Sequence, residues 1–247
     1  MIRTFRVFFL LPFLFGGAGA HAQATGGSPS DKCLKFANGL SLGAQLPRTR
    51  AKLKAGKPVT VVALGSSSTT GFGTFRSDAA FPDVMKQELA RLWPSAQVTL
   101  VNSGRIMDNI PGNVARLDSD VLRYKPDLVI WQLGSNDAVW RGIAENARSM
   151  IGEAVERLKA ANADVVLVDL QYAPLVLVTS GHTRMEKIIA EVAQAKHVGH
   201  FQRFTLMKRA IDGGVKGLVW WDGLHNSVEG HRCIGIALGQ MVAAAAR

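Results

Sequence analysis

Three short polar segments of this chain carry the residue types that nucleophilic catalysis needs. Ser67 lies in a Gly-Ser-Ser-Ser segment, Asn136 lies in a Gly-Ser-Asn-Asp segment, and His225 ends an Asp-Gly-Leu-His segment that begins at Asp222. Together they supply a hydroxyl nucleophile, an amide donor, and an imidazole with a carboxylate three residues before it. These are the groups required for acyl transfer through a serine ester.

Each segment also has a structural interpretation. Residues 65–71 (Gly-Ser-Ser-Ser-Thr-Thr-Gly) could be a strand-to-helix connection whose hydroxyls cap free backbone N–H groups. They lack the Gly-Lys-Ser/Thr ending of a phosphate-binding loop, and Thr69 stands where the Gly-x-Ser-x-Gly elbow requires glycine. Asn136 and Asp137 could form a helix cap or a turn. The occurrence of all three segments in this order is what favours catalysis.

The elements that must position these residues alternate along the chain. Short runs rich in Val, Leu and Ile predict strands covered on both faces of a parallel sheet, at 59–64, 98–101, 128–133 and 165–170, with a fifth strand at 197–204. Amphipathic stretches predict helices at 81–93, 113–123, 144–161, 183–196 and 227–246. This alternation predicts an α/β fold, a flavodoxin-like three-layer α/β/α sandwich with a central parallel sheet of about five strands.

The polar segments stand at strand ends. Ser67 closely follows the first predicted strand, and Asn136 closely follows the third. In an open parallel sheet the carboxyl ends of the strands form the ligand crevice. If the first strand is central and neighbours the third, Ser67 and Asn136 can face a single reacting carbonyl.

The N-terminus has the pattern of an export signal. Arg3 and Arg6 precede an apolar stretch at 7–15, and small residues lead to Ala20-His21-Ala22. The apolar run is well short of the roughly 20 residues that span a bilayer. We therefore expect a signal peptide at 1–22 and a periplasmic or secreted protein with no stable membrane insertion after cleavage.

The remainder is expected to hold one catalytic domain at 58–247, preceded by an N-terminal extension at 23–57. The extension is rich in Gly, Ser, Lys and Arg, so we expect it to wrap the surface or stay partly disordered. The formal net charge of +10 falls by two units when Arg3 and Arg6 leave with the signal. The remaining cations are scattered and form no dense run, which argues against a nucleic-acid partner.

Two cysteines occur, Cys33 and Cys233. An oxidising compartment would permit them to pair, and closing so long a loop is worth up to about 4 to 5 kcal/mol in the chain-entropy model. The sequence leaves open whether they pair, and it leaves the oligomeric state open. Two such distant cysteines cannot build a zinc site on their own. Serine-ester chemistry needs no metal or organic cofactor, and we expect none.

The order of these segments resembles the SGNH family, also called GDSL hydrolases. The resemblance spans nearly all of the chain after the signal, and it implies that Ser67 is the nucleophile, His225 the base and Asp222 the carboxylate that orients it. It also implies an oxyanion hole formed by the Ser67 backbone N–H, the Asn136 amide and a backbone N–H after the second strand.

Two features depart from the family pattern. Ser66 stands where the Gly-Asp-Ser motif has its acid, so the choice of Ser67 over the neighbouring serines depends on register alone. The family tends to place the oxyanion glycine five residues after an Asn, and from Asn102 that count reaches Met107, whereas the nearby glycine is Gly104. Either backbone N–H could serve, and glycine is the less sterically restricted.

Other polar residues are expected near the crevice without assigned roles, namely Arg105, Asn109, Gln171 and Tyr172. His182, His197 and His200 lack a nearby motif, and His231 is expected at the surface of the last helix.

The resulting hypothesis is a serine esterase that hydrolyses carboxylic esters. Export, a positive surface and the lack of an evident lid favour short acyl groups, above all acetyl, on a cell-envelope or extracellular glycan or another small-molecule ester. The alternatives are an O-acyltransferase that uses the same serine ester, a lipid esterase or thioesterase, and a catalytically silent envelope binding protein.

Overall fold

The computed structural model describes residues 27–76, 78–142 and 145–247. The expected signal peptide at 1–22 lies outside these residues. Five strands form one sheet in the order β2-β1-β3-β4-β5, and every neighbouring pair is parallel. The strands are β1 (Val59–Gly65), β2 (Val98–Gly104), β3 (Leu128–Gln132), β4 (Asp164–Val168) and β5 (Gly199–Phe201). This is the flavodoxin-like order, in which the first strand lies inside the sheet and neighbours the third, while β3 is the central strand.

Helices cover both faces of the sheet. They are α1 (Pro29–Leu34), α2 (Pro47–Lys54), α3 (Ser67–Thr70), α4 (Phe81–Leu92), α5 (Ile110–Ala115), α6 (Leu117–Asp120), α7 (Ala147–Ala160), α8 (Pro174–Leu177), α9 (His182–Lys196), α10 (Arg203–Asp212) and α11 (Val228–Ala245). Short 3₁₀ helices at Lys35–Ala37 and Leu122–Tyr124 and a π-helical turn at Asp137–Arg141 complete the described elements.

The two faces of the sheet have separate hydrophobic cores. Residues of α1, α4, α10 and α11 pack on one face, and residues of α5, α6, α7 and α9 pack on the other. The five residues of β3 and the five of β4 are all buried, as expected of strands covered on both sides. The edge strand β2 is mostly half-buried. The predicted three-layer α/β/α sandwich is confirmed.

Several elements differ from the sequence prediction. The helix expected at 113–123 is divided among α5, α6 and a 3₁₀ turn, and it begins earlier because the Asn109 side chain caps α5 by accepting the Gly112 N–H. The fifth strand is only three residues long. The chain then turns into α10, which the sequence did not predict, and the Asp169 carboxylate accepts the Phe204 N–H in its first turn.

The described part of the N-terminal segment, residues 27–57, contributes buried residues to the core. Cys33 of α1 is buried, and Leu46 before α2 is also buried. Cys33 forms a disulfide with Cys233 of α11, with Cα atoms 6.1 Å apart. Among the helices of the described ranges, none has the length and apolar character needed to cross a membrane.

Candidate active site

The turn after β1 presents the three neighbouring serines to different partners. Ser66 donates from both its backbone N–H and its hydroxyl to Gln132 Oε1 at the end of β3, at 2.9 and 2.8 Å. The next residue begins α3, and Ser67 Oγ lies 2.8 Å from His225 Nε2. Among the described residues, Ser67 is the serine within hydrogen-bonding distance of His225. The Ser66 hydroxyl fixes the end of β1 to β3.

The loop before α11 holds the imidazole. His225 Nδ1 lies 2.6 Å from Asp222 Oδ2, and Asp222 Oδ1 accepts the backbone N–H groups of Leu224 and His225 at 2.9 and 3.0 Å. Burial opposes ionisation of Asp222, but these hydrogen bonds and the adjacent imidazole outweigh it, so its pKa lies below the usual value. An ionised Asp222 holds Nδ1–H toward itself and leaves Nε2 free to accept the Ser67 proton.

Asn136 approaches from the end of β3. Its amide Nδ2 donates to the carbonyl of Asp108 in the loop after β2, at 2.8 Å. The next residue, Asp137, is buried and accepts the Ile110 N–H, at 3.2 Å to Oδ1. Burial raises the pKa of Asp137 to about 6. The loops after β2 and β3 are therefore joined by hydrogen bonds next to Asn136.

The two candidate backbone donors after β2 have different environments. The Gly104 N–H donates to the Asn102 side chain at 3.0 Å, and a Cβ at Gly104 would lie 2.7 Å from the Thr70 nitrogen of α3. Met107 has a left-handed backbone with φ of 62°. Neither the Met107 N–H nor the Ser67 N–H has a protein acceptor among the described residues. Gly104 lets β2 approach α3 closely, whereas Met107 has a backbone conformation typical of glycine and a free N–H.

Arg116 supports this site, although no sequence pattern indicated such a role. Its buried guanidinium donates to Asp108 Oδ2 at 2.7 Å, to the Ser103 carbonyl at 2.7 Å and to the Gly65 carbonyl at 3.1 Å. Arg116 therefore ties the loop after β2 to the end of β1.

A second buried network joins the Asn136 and His225 segments. Gln171 donates to the Leu224 carbonyl at 3.1 Å, while its Oε1 accepts Ser135 Oγ at 2.6 Å and Arg203 Nη2 at 2.9 Å. Arg203 is fully buried, and burial lowers its pKa to about 10 although nearby Asp169 opposes this. Gln171, predicted near the crevice without a role, is a structural link between two of its walls.

The other residues expected near the crevice have local partners. Asn109 caps α5, Arg105 pairs with Asp120 at 3.0 Å, and the Tyr172 ring packs edge-on against Phe204.

The histidine in the last helix is placed differently from the prediction. His231 is fully buried, not at the surface, and its Nδ1 accepts the Phe81 N–H at 3.2 Å. Burial lowers the pKa of His231 to about 3, so the ring is neutral near pH 7. The prediction failed because α11 packs on α4 and on α1 and also joins the core on this face of the sheet, which buries most of its positions. Elsewhere, His200 pairs with Asp169 at 3.0 Å and His182 Nδ1 lies 2.7 Å from the Thr179 carbonyl.

The arrangement can transfer a proton from Ser67 to His225 and leave a nucleophilic oxygen at the carboxyl edge of the sheet. Within the described ranges, no three His, Cys, Asp or Glu side chains gather in the manner of metal ligands.

Comparison with solved structures shows the same fold in several hydrolases. LAE5, an α/β hydrolase from the metagenome of Lake Arreo, aligns with a TM-score of 0.64 and 20% identity over 74% of this chain and 96% of its own. The acetylxylan esterase Axe2 from Geobacillus stearothermophilus aligns with a TM-score of 0.64 and 18% identity over 74% of this chain and 94% of its own. The two-domain esterase CEX is active on acetylated mannans and was co-crystallised with mannopentaose. It aligns with a TM-score of 0.72 and 19% identity over 85% of this chain and 56% of its own.

Comparison with curated proteins finds no significant sequence match. A family model described as the non-GDSL lipase-like family matches residues 32–247, which is most of the chain. The protein therefore belongs to the non-GDSL lipase-like family of SGNH/GDSL hydrolases and is a carboxylic ester hydrolase.

Proposed function

We propose that the protein is an exported serine esterase that removes short acyl groups, above all acetyl, from cell-envelope or extracellular carbohydrate. The observation that carries the proposal is the continuous chain of contacts from Ser67 Oγ to His225 Nε2 at 2.8 Å and from His225 Nδ1 to Asp222 at 2.6 Å. This series of contacts would place a nucleophile, a base and an orienting carboxylate in one line.

Acylation begins when His225 Nε2 takes the Ser67 proton as the serine oxygen bonds to the ester carbonyl carbon. The imidazolium then gives that proton to the alcohol oxygen, the carbon–oxygen bond to the alcohol breaks, and the acyl group remains on Ser67. In the second half, His225 takes a proton from water and the hydroxide oxygen attacks the acyl carbon. The acid leaves, and the proton returns to Ser67.

The negative oxygen that forms in each tetrahedral intermediate requires donors that are already in place. We assign the Ser67 N–H, the Asn136 side-chain amide and the Met107 N–H to this oxyanion hole. The Asn136 amide has two hydrogens, so its bond to Asp108 leaves one available. Met107 is preferred to Gly104 because the Gly104 N–H already donates to Asn102.

The carbohydrate part of the proposal is supported by the comparisons, and the export part by the disulfide. Axe2 is an acetylxylan esterase, and CEX is active on acetylated mannans, which makes polysaccharide acetate the first substrate class to test here. A Cys33–Cys233 disulfide is compatible with an oxidising compartment outside the cytoplasm, as the export signal also predicts.

Hydrolysis of p-nitrophenyl acetate by the purified protein tests the mechanism. Ser67→Ala and His225→Ala should each lower kcat by about 10³-fold or more, and Asn136→Ala by about 10²- to 10³-fold. Ser66→Ala is the matched control: it removes a neighbouring hydroxyl that bonds to Gln132 and not to His225, so its loss of kcat, caused only by a less firmly held α3, should be far smaller than that of Ser67→Ala. A Ser67→Ala protein as active as the wild type would refute the assignment.

Release of acetate from acetylated xylan and acetylated mannan, measured with the same variants, tests the substrate class. Activity on p-nitrophenyl acetate without any acetate release from polysaccharide would count against a carbohydrate substrate. Appearance of the acetyl group on an added sugar, followed by mass spectrometry, would indicate the acyltransferase alternative.

A further inference from the structure

Four aromatic side chains form a continuous surface that begins at the imidazole of His225. We call Phe72, Phe75, Trp220 and Trp221 the aromatic strip. The Phe72 ring lies 4.6 Å from the His225 ring, centroid to centroid, and 6.1 Å from Trp220. Trp220 lies 5.9 Å from Phe75 and 4.8 Å from Trp221.

The outer rings of the aromatic strip are unusually exposed. Phe75 is 87% exposed and Trp221 is 83% exposed, whereas large aromatic side chains usually bury most of their surface. Phe75 also has a left-handed backbone with φ of 53°, an uncommon conformation for a bulky residue that carries an energetic cost. Such a cost at an exposed ring beside the site suggests that the ring contacts a ligand.

We infer that the aromatic strip is a glycan-binding subsite, on which pyranose rings of the acetylated chain stack while one acetyl ester reaches Ser67. The inference rests on the proposed esterase function and names how that site holds its substrate. A pyranose ring has an apolar face of C–H groups and an edge of hydroxyls. It can therefore cover an exposed ring while its hydroxyls stay in water.

The exposure of the aromatic strip argues against a long acyl chain as its occupant. An acyl chain gains binding energy from complete removal of its apolar surface from water, which requires an enclosed channel. Rings that are more than four-fifths exposed provide no such enclosure.

The charges beside the aromatic strip argue against a membrane as its occupant. Surfaces that dock on anionic lipid combine aromatic side chains with unpaired cations. Here Arg76, next to Phe75, pairs with Asp78 at 3.3 Å. The other outer ring, Trp221, precedes the acidic Asp222.

A groove with several polar side chains includes Arg76, the residue after Phe75. A cavity of about 310 Å³ is lined by Arg76, Asp78, Gln87 and Arg232, among others. These side chains offer donors and acceptors for sugar hydroxyls. The bound glycan would thus extend from Ser67 across the aromatic strip toward this groove.

The first experiment compares two esters of the same acid. The ratio of kcat/KM for an acetylated xylo-oligosaccharide to kcat/KM for p-nitrophenyl acetate is measured in wild type, Trp221→Ala and Phe75→Ala. Loss of one stacked ring should lower this ratio by about three- to tenfold. Val178→Ala is the control, since Val178 is 79% exposed but lies outside the aromatic strip, and it should leave the ratio unchanged. A ratio that stays at the wild-type value in both aromatic variants would overturn the inference.

The second experiment needs no catalysis. Binding of unacetylated xylo-oligosaccharide to the Ser67→Ala protein is followed by tryptophan fluorescence, and Phe75→Ala in the same background should weaken it. If wild type hydrolyses neither ester, the esterase proposal fails, and this binding measurement still decides the subsite. Two further outcomes would overturn the glycan-subsite inference. The first is co-sedimentation of wild type, but not of Trp221→Ala, with vesicles of phosphatidylcholine and phosphatidylglycerol, which would indicate a membrane surface. The second is a wild-type dimer that the Trp221→Ala substitution dissociates, which would indicate a second copy of the protein.

Discussion

Ser66 shows how a residue at the edge of the site can be structural while its neighbour is positioned for chemistry. Its hydroxyl and its N–H both donate to Gln132, and the Thr69 hydroxyl donates to the same oxygen at 3.1 Å. These three bonds fix α3 relative to β3, and α3 carries Ser67 at its first position. A serine in place of the usual acid is thus compatible with the contact between Ser67 and His225.

Met107 provides a test of the oxyanion hole at the level of one backbone N–H. Met107→Pro removes that N–H and forbids a positive φ, so kcat should fall by about 10²- to 10³-fold on p-nitrophenyl acetate. Met107→Gly keeps the N–H and favours the observed φ of 62°, so kcat should stay within a few-fold of wild type. Unchanged kcat in a folded Met107→Pro protein would exclude this N–H and return the role to Gly104.

Among the secondary-structure elements, the close packing of β2 against α3 sets the position of Ser67. In Gly104→Ala, the new Cβ would meet the Thr70 nitrogen at 2.7 Å and the Thr69 carbonyl carbon at 3.0 Å. Backbone atoms cannot turn away as a side chain can, so α3 must shift. We expect a loss of about 1 to 3 kcal/mol in unfolding free energy and at least tenfold in kcat/KM.

The control for this packing test is Gly152→Ala, in the interior of α7. A Cβ there meets only the flexible end of Lys196, at 3.3 Å. Stability should be unchanged or rise by up to about 1 kcal/mol, because alanine favours helix. Urea denaturation and esterase assays on both variants give the comparison, and a Gly104→Ala protein as stable and active as wild type would contradict the packing argument.

The elements were predictable to the extent that their signals are local. Runs of Val, Leu and Ile located β1 and β3, and the residues that follow them came together because parallel strands end at one edge. What the sequence could not provide is the set of buried polar partners. Gln171 and Arg203 meet Ser135 through contacts between residues more than thirty positions apart in the chain. The residues next to Gln171 and Arg203 in the sequence form no pattern that indicates this network.

At the scale of the molecule, the N-terminal segment is fastened to the same helix that follows the proposed base. The Ser30 N–H donates to Glu229 at 3.0 Å in the first turn of α11, and Cys33 is bonded to Cys233 one turn further along. The segment's composition predicts that it wraps the surface or stays partly disordered, because its few apolar residues are spread thinly among polar ones. Its burial is a tertiary effect that composition does not report.

The Cys33–Cys233 disulfide is expected to stabilise the whole fold. It closes a loop with a sequence separation of 200 residues, and removing it should lower the unfolding free energy by about 2 to 5 kcal/mol, chiefly because the unfolded chain gains entropy. Thermal unfolding of wild type with and without a thiol reductant measures this loss. The Cys33→Ala/Cys233→Ala protein is the control: its Tm should lie below that of oxidised wild type and should not respond to reductant. A wild-type Tm that reductant leaves unchanged, with the thiols shown to be reduced by mass spectrometry, would mean that packing between α1 and α11 suffices to hold the N-terminal segment without the covalent link.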